Sequence, residues 1–332
     1  MNAITIPTPG GPEVLRLGRV ATPEPGLGEI RVRVAASGLN RADLLQRLGR
    51  YPAPAGVPAD VPGLEYAGVV EALGPRAERW ALGDRVMGIV AGGGYAEYLV
   101  THERTAVRVP ERMGLAEAGG VPEVFMTAYD ALFRQAGLSA GETVLIHAVG
   151  SGVGTAAVQL ARRSGARTIG TSRTPAKLER ATRLGLHHAV TGADGWHDRV
   201  LEITGGSGVD VILDLVGGPY LTGNIAAMAT GARQVVVGVP GGARTEIDLR
   251  ALMVRRATIR GTVLRARPLE EKIALAREFE LRVLPGFEDD SLTPVLDSTF
   301  TPDRAAEAHR AMEDNQNFGK LVIVWEHPEG NP

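Results

Sequence analysis

The sequence contains no cysteine among its 332 residues. That single absence removes disulfides, a thiol nucleophile and thiolate metal ligands together, so zinc could be held only by histidines and carboxylates. Lysine is nearly missing too. It stands at positions 177, 272 and 320 alone, which leaves arginine as the other 33 of the 36 basic residues. No sign of charge dominates: the formal net charge is −2 and the pI about 6.4, which gives no electrostatic footprint for nucleic acid or an anionic membrane surface. Nor is there an apolar run clean enough to read as a membrane span, since the longest, residues 144–161, carries His147, Ser151, Gln159 and glycines at 150, 152 and 154. The segment "MNAITIPTPGGPEVLRLG" lacks a basic start followed by an apolar stretch, so no export signal is read and a cytoplasmic location is expected.

The chain is longer than the commonest single core, and two domains of roughly 150 residues each are expected. Up to about residue 109, short β-type runs such as "EIRVRVAA" and "GYAEYLVT" alternate with punctuation such as "YPAPAGVPADVPG". Ile30, Val32 and Val34 set against Arg31 and Arg33 predict half-buried strands in an antiparallel, partly closed barrel. From about residue 117 the rhythm becomes strand, helix, strand. The β-rich runs at 144–147, 168–171, 209–215 and 235–239 predict a parallel sheet covered on both faces. "TPAKLERATRLG" is punctuated as a helix, with Thr174 as N-cap, Pro175 at the first helical position and Gly185 as the stop. The tail adds helices over 268–284 and 302–313 and a strand in "KLVIVWE".

After the strand ending at His147 the chain must turn sharply, and glycines at 150, 152 and 154 permit it. Val153, Ala156, Ala157, Leu160 and Ala161 follow helical spacing, so a helix starts inside the glycine run. Its N-terminus would offer unpaired N–H groups to a pyrophosphate, which makes Gly152, Val153 and Gly154 candidates for a dinucleotide. The strict G-x-G-x-x-G spacing fails, because Val149 and Ser151 stand where glycines are needed, and strand-helix packing alone is the competing reading. A serine nucleophile at Ser151 is disfavoured by its bulky neighbours Val149 and Val153. About twenty residues on, the next strand ends in Ser172, Arg173 and Thr174 with Lys177 one helical turn later. No carboxylate is present there to hold a ribose diol. Two cations suit a 2′-phosphate, so NADP (as NADPH) is expected, against the reading that both are solvated helix-start residues.

With these residues in view, the chain resembles the medium-chain dehydrogenase/reductase superfamily and, within it, the zinc-free quinone oxidoreductases. The resemblance rests on "AASGLNRADLLQRLGRYPAP", "PGLEYAGVVEALG", "GDRVM", "GGGYAEY", "TVLIHAVGSGVGTAAVQLAR" and "DLVGG", in that order along nearly the whole chain. The loop is similar to the family form A-x-x-[GS]-x-x-G, matched by Ala148, Ser151 and Gly154, and "MEDNQNFGKLVI" resembles the tumour-suppressor-inducible subfamily. Where zinc alcohol dehydrogenases place a cysteine and a histidine ligand, this chain has Asn40 and Leu64, so no metal is expected.

The resemblance implies a GroES-like, partly open β-barrel catalytic domain over 1–119, a Rossmann doubly wound parallel-sheet domain binding NADP over 120–265, and a segment over 266–332 returning to the catalytic domain. It implies hydride transfer from NADPH to a small-molecule quinone, with an enone or alkenal reductase as the alternative and a zeta-crystallin-like structural or RNA-binding role behind both. A homodimer joined through the strand near 258–264 is also implied, with no nucleic-acid or membrane partner. Asn40, Asp43 and Tyr51 resemble polar positions lining the family's cleft and are the catalytic candidates. Against that stand turn chemistry for Asn40 and Asp43, and packing on Pro52 and Pro54 for Tyr51. Thr127, Gly217, Val239, Leu264, Asn317 and Lys320 match segments that pass the cofactor. Glu65 is expected to support the turn in "GLEYAG", and His147 to be a hydrogen-bonding residue at a strand end.

Overall fold

Ile30, Val32 and Val34 are fully buried while Arg31 and Arg33 between them keep partial exposure, so the alternation in "EIRVRV" builds a strand with one face in the core. In the computed structural model, which describes residues 1–192 and 194–325, the chain divides into two compact units. One comprises Met1–Met126 with Leu264–Pro332, the other Thr127–Val263. The first unit opens with β1 (Asn2–Thr5), β2 (Arg16–Arg19) and the long β3 (Glu29–Gly38). Helix α1 (Arg41–Arg47), β4 (Glu65–Leu73), β5 (Arg85–Ile89), β6 (Tyr98–His102), β7 (Val107–Arg108), α2 (Leu115–Ala118) and α3 (Pro122–Tyr129) follow. β3 organises them, pairing antiparallel with β4 along its length and with β6 over Glu29 to Arg33.

The second unit alternates strictly. β8 (Thr143–Ile146), α4 (Gly152–Arg163), β9 (Arg167–Ser172), α5 (Pro175–Arg183), β10 (His188–Thr191), α6 (Trp196–Ile203), β11 (Val209–Asp214), α7 (Leu221–Ala227), β12 (Met228–Val236), α8 (Leu249–Arg255) and β13 (Thr258–Gly261) make a six-stranded sheet. Its order is β10-β9-β8-β11-β12-β13 and every pairing is parallel. This is the doubly wound Rossmann arrangement, with the order reversing beside β8. Leu145, Ile169 and Ile212 are wholly buried in its core with Trp196, Val200 and Ile225 from the helices. One strand is displaced from its expected place: β12 ends at Val236, not at 239, because Gly238 and Pro240 interrupt the ladder and leave Val239 44% exposed.

The chain then returns to the first unit through α9 (Leu269–Arg282), α10 (Pro285–Glu288), β14 (Leu296–Phe300), α11 (Ala305–Glu313) and β15 (Lys320–Val324). β15 pairs antiparallel with the end of β3, Val322 opposite Gly38, and so becomes an internal strand of a seven-stranded sheet. The partly closed barrel is therefore made from both ends of the chain. Among the described residues no helix is long and apolar enough to cross a membrane.

Within the β8–α4 turn, a Cβ on Gly154 would lie 2.6 Å from the Ala148 carbonyl oxygen and 2.8 Å from backbone atoms of Val149. No flexible side chain is there to yield. We expect Gly154→Ala to cost about 1–3 kcal/mol by overpacking and to distort the loop, read as a lower melting temperature.

Candidate active site

In a parallel sheet all strands end on the same side, and the second unit gathers its candidate residues there. The loop after β8 carries Ala148 and Ser151 and the first turn of α4 carries Gly152, Val153 and Gly154; Ser172 ends β9 with Arg173 just beyond it, and the loops after β11 and β12 carry Gly217 and Val239. Ala148 sits in the left-handed region at φ 47°, a conformation costly for a residue with a Cβ. Ser151 is the N-cap of α4, its Oγ accepting from the Gly154 N–H at 3.1 Å. The oxygen is used as acceptor, so the hydroxyl proton is still available to donate. Among the described residues the N–H groups of Gly152 and Val153, the first two of α4, bond to no protein atom. Two aimed donors on a twelve-residue helix fit a dinucleotide pyrophosphate.

Ser172 is buried and accepts from the Thr174 N–H at 3.1 Å, whereas Arg173 is exposed and Lys177 is partly covered in the first turn of α5. Behind the turn carrying Gly217 lies a buried polar chain. Asp214 accepts from the Val216 and Gly217 N–H groups at 2.9 and 2.8 Å and from Asn224 Nδ2 and Gln234 Nε2 at 3.1 and 2.9 Å. Because the Asn224 amide nitrogen faces Asp214, its Oδ1 must accept from His147 Nε2 at 2.6 Å, and His147 Nδ1 accepts from Thr171 Oγ1 at 2.8 Å. Burial holds the His147 pKa below its ordinary value, so the ring is a neutral strut in this chain. Gly217, at φ 89°, is where that chain meets the loop.

The first unit gathers a second set. Lys320, opening β15, is 4% exposed, and its ammonium donates to the Leu39 carbonyl, to Asn40 Oδ1 at 2.9 Å and to Glu65 Oε1 at 2.6 Å. Three protons meet three acceptors, so none remains for a cofactor phosphate, and the expectation that Lys320 faces the cofactor is corrected. Glu65 reaches beyond its turn: it ion-pairs with Lys320, accepts from Asn40 Nδ2 at 3.0 Å and accepts from the Glu123 N–H at 2.9 Å. Asn40 thus has its amide locked at both ends. Asp43 is fully buried and accepts from the Asn40 N–H at 2.8 Å, the Gly63 N–H at 3.2 Å and the Tyr95 hydroxyl at 3.0 Å. With no exposed atom it cannot touch a substrate, so its catalytic assignment gives way to a positioning one. Burial pushes its carboxyl up to about 6 despite those bonds.

Tyr51 is half-buried in the loop after α1, and burial raises its phenol above 10 while Arg265 opposes the rise. Among the remaining expected cofactor contacts, Thr127 and Leu264 are buried, and Asn317 closes the turn into β15 by donating to the Gly319 carbonyl at 2.7 Å. Sequence reasoning passed over two residues here, Glu123 and Arg265. Each is a charge embedded in an apolar run, "GGVPEVFMTA" and "GTVLRAR", and that was the available signal.

Fold and site together define an oxidoreductase that takes a nicotinamide dinucleotide. The description "Alcohol dehydrogenase GroES-like domain" matches residues 26–111 and "Zinc-binding dehydrogenase" residues 152–279. A quinone oxidoreductase of Lama guanicoe is 31% identical over 328 residues, 98% of this chain and 97% of that one. A solved NAD-dependent alcohol dehydrogenase is 31% identical with a TM-score of 0.88, covering 98% of this chain and 100% of its own. The JamJ enoyl reductase, solved in its apo form, is 26% identical with a TM-score of 0.87, covering 97% and 98%. The chain belongs to the medium-chain dehydrogenase/reductase superfamily, among its quinone oxidoreductases.

The zinc named in one of those descriptions does not fit these residues. Asn40 and Leu64 supply no strong ligand, and the nearby Glu65 carboxylate is already neutralised by the Lys320 ammonium. Among the described residues no group of three or more His, Cys, Asp or Glu side chains is arranged to hold a metal ion.

Glu123 joins this set with an unusual ionisation. Burial first, and then the Glu65 charge, push its carboxyl up to about 8, against the pull of Lys320 and Arg265. A folded pKa raised from 4.5 means that the native state holds a proton the unfolded chain releases, so stability falls as pH rises from about 4.5 to about 8. Asp43, raised to about 6, adds its own fall below that and is largely ionised about one pH unit higher. We expect Glu123→Gln to flatten the fall between pH 6 and 8.5 and to melt higher than the parent at pH 8.5, with about 2–4 °C for each kcal/mol, while matching it near pH 4. Parallel melting curves across that range in both proteins would exclude a protonated Glu123.

Proposed function

We propose that the protein is an NADPH-dependent quinone oxidoreductase that transfers hydride without a metal. One observation carries the reading: the Lys320 ammonium, buried in the first unit, is spent on Glu65, Asn40 and Leu39, so it is not available to stabilise an alkoxide. Reduction of an ordinary ketone needs a Lewis acid or proton donor for the oxygen that gains charge. A quinone spreads that charge over its conjugated ring, so a neutral hydroxyl donor is enough. Tyr51 fits that part, because its raised pKa keeps the phenol protonated at neutral pH.

NADPH supplies the hydride when bound. The Gly152 and Val153 N–H groups would hold its pyrophosphate, and the exposed Arg173 with Lys177 would take its 2′-phosphate where a carboxylate for the ribose diol is missing. The similar alcohol dehydrogenase is described as NAD-dependent, which makes the cofactor choice a direct test. A second reading, reduction of an enone, is favoured by the enoyl reductase among the similar structures. The outer edge of β13 leaves room for the dimer pairing that the family resemblance suggests.

We expect the double change of Arg173 and Lys177 to Ala to raise the NADPH KM by ten- to a hundredfold and leave the NADH KM nearly unchanged, since each charge-assisted bond is worth roughly 1.5–3 kcal/mol before solvent screening. Equal losses with both cofactors would assign the pair to the fold.

Tyr51→Phe should lower kcat for quinones about tenfold or more with NADPH affinity intact, as for an interaction made only as charge arrives. Stopped-flow NADPH oxidation over ortho-quinones, para-quinones and alkenals reads both. Faster turnover of alkenals than of every quinone would favour the enone reading.

A further inference from the structure

Arg265 begins the return of the chain to the first unit and is 6% exposed. Its guanidinium reaches three separate segments. Nη2 donates to Gln46 Oε1 on α1 at 2.6 Å, Nε to the Ala91 carbonyl after β5 at 2.6 Å, and Nη1 to the Tyr51 carbonyl at 3.2 Å. The plane of the cation also lies over the Tyr51 ring, 4.9 Å from its centroid. Gln46 extends the clamp by donating to the Ala59 carbonyl at 3.0 Å. The loop between them, "YPAPAGVPADVP", is rich in proline and forms few backbone bonds of its own, Val57 to Pro54 and Ile6 to Asp60 among them. Arg265 and Gln46 therefore hold it at both ends.

Among the described residues every hydrogen-bond partner of Arg265 is neutral, so no bonded carboxylate there quenches its charge. The ionisable groups facing it are Tyr51, Asp43 and Glu123, and Lys272 of α9 is the other nearby cation. Glu123 acts on the phenol in the opposite sense to Arg265. A planar fork can bond to three segments and stack on a ring at once, which a lysine cannot.

We propose that Arg265 is the positioning residue for Tyr51: it clamps the loop, fixes the attitude of the ring and supplies the positive potential that strengthens the hydroxyl as a donor to a substrate oxygen gaining charge. The kinetic part rests on the reading of Tyr51 given above, while the clamp and the potential do not, and two separate readouts keep them apart.

The first readout needs no turnover. With 3-fluorotyrosine at all six tyrosines, the 19F resonance of Tyr51 is assigned by its loss in Tyr51→Phe and followed through pH, the ring fluorine bringing the phenol's titration into a range where the fold survives. Arg265→Met should move that resonance and raise its titration midpoint by about one unit, because a nearby cation that favours the phenolate has gone. An unmoved resonance and midpoint would overturn the proposal.

The second readout is kinetic. Arg265→Met should lower kcat about tenfold with the NADPH KM unchanged, and add no loss when Tyr51 is already Phe. A full further loss in that background would show that Arg265 does not act through Tyr51. Should Tyr51→Phe alone turn over normally, Tyr51 fails as a donor while the titration still judges Arg265. If Arg265→Met does not fold, Arg265→Lys replaces it: charge is kept but the fork is lost, so the resonance should shift and kcat fall severalfold, and wild-type values for both would overturn the proposal.

Discussion

The buried ion pair between Lys320 and Glu65 is the constraint from which the first unit's polar interior follows. Two opposite charges removed from water are tolerated only when their remaining lone pairs and protons are satisfied. Lys320 accordingly ends on three oxygens and Glu65 collects Asn40 and the backbone of Glu123 as well. Each of those partners then has a fixed orientation. Asn40 cannot flip its amide, Asp43 is held through the Asn40 backbone, and Tyr95 is held through Asp43. The set is a relay of obligations, and its stability rests on completeness rather than on any single bond.

The second unit solves the same problem with neutral groups. Asp214 carries the buried charge there, and it is surrounded by two backbone N–H groups and two side-chain amides. Neither unit exposes its buried charge, and each uses it to fix a turn beside candidate ligand-binding residues.

Much of this was legible in the sequence where a local rule was strong enough to act alone. The alternation in β3, the strand-helix rhythm of the second unit, and the proline opening α5 are short-range patterns, and the elements they predicted formed. β12 departed because its apolar residues 235–239 looked continuous while Gly238 and Pro240 controlled the backbone. The glycine turn into α4 was legible because its pattern lies within a dozen residues. The first-unit network was not. Lys320 and Glu65 are 255 positions apart in numbering, and no spacing rule links them; only the pairing of β15 with β3 brings them together. Lys320 was singled out as one of three lysines but given to the cofactor, and Glu65 was given to its turn, because each was read against its sequence neighbours.

Since β15 is an inner strand placed between β14 and β3, the order of synthesis matters. When the ribosome has delivered β3, β4 and α1, Glu65 has no counterion, and the strand that carries it will not emerge until the whole parallel-sheet unit has been made. The intervening unit is continuous in sequence and can fold on its own schedule. The barrel must meanwhile wait with an open strand edge and an uncompensated carboxylate in its interior. Closing the barrel and neutralising Glu65 are then one event, so a chain that stops short of Lys320 leaves the newborn protein both unsealed and electrostatically unfinished, a state on which quality control can act.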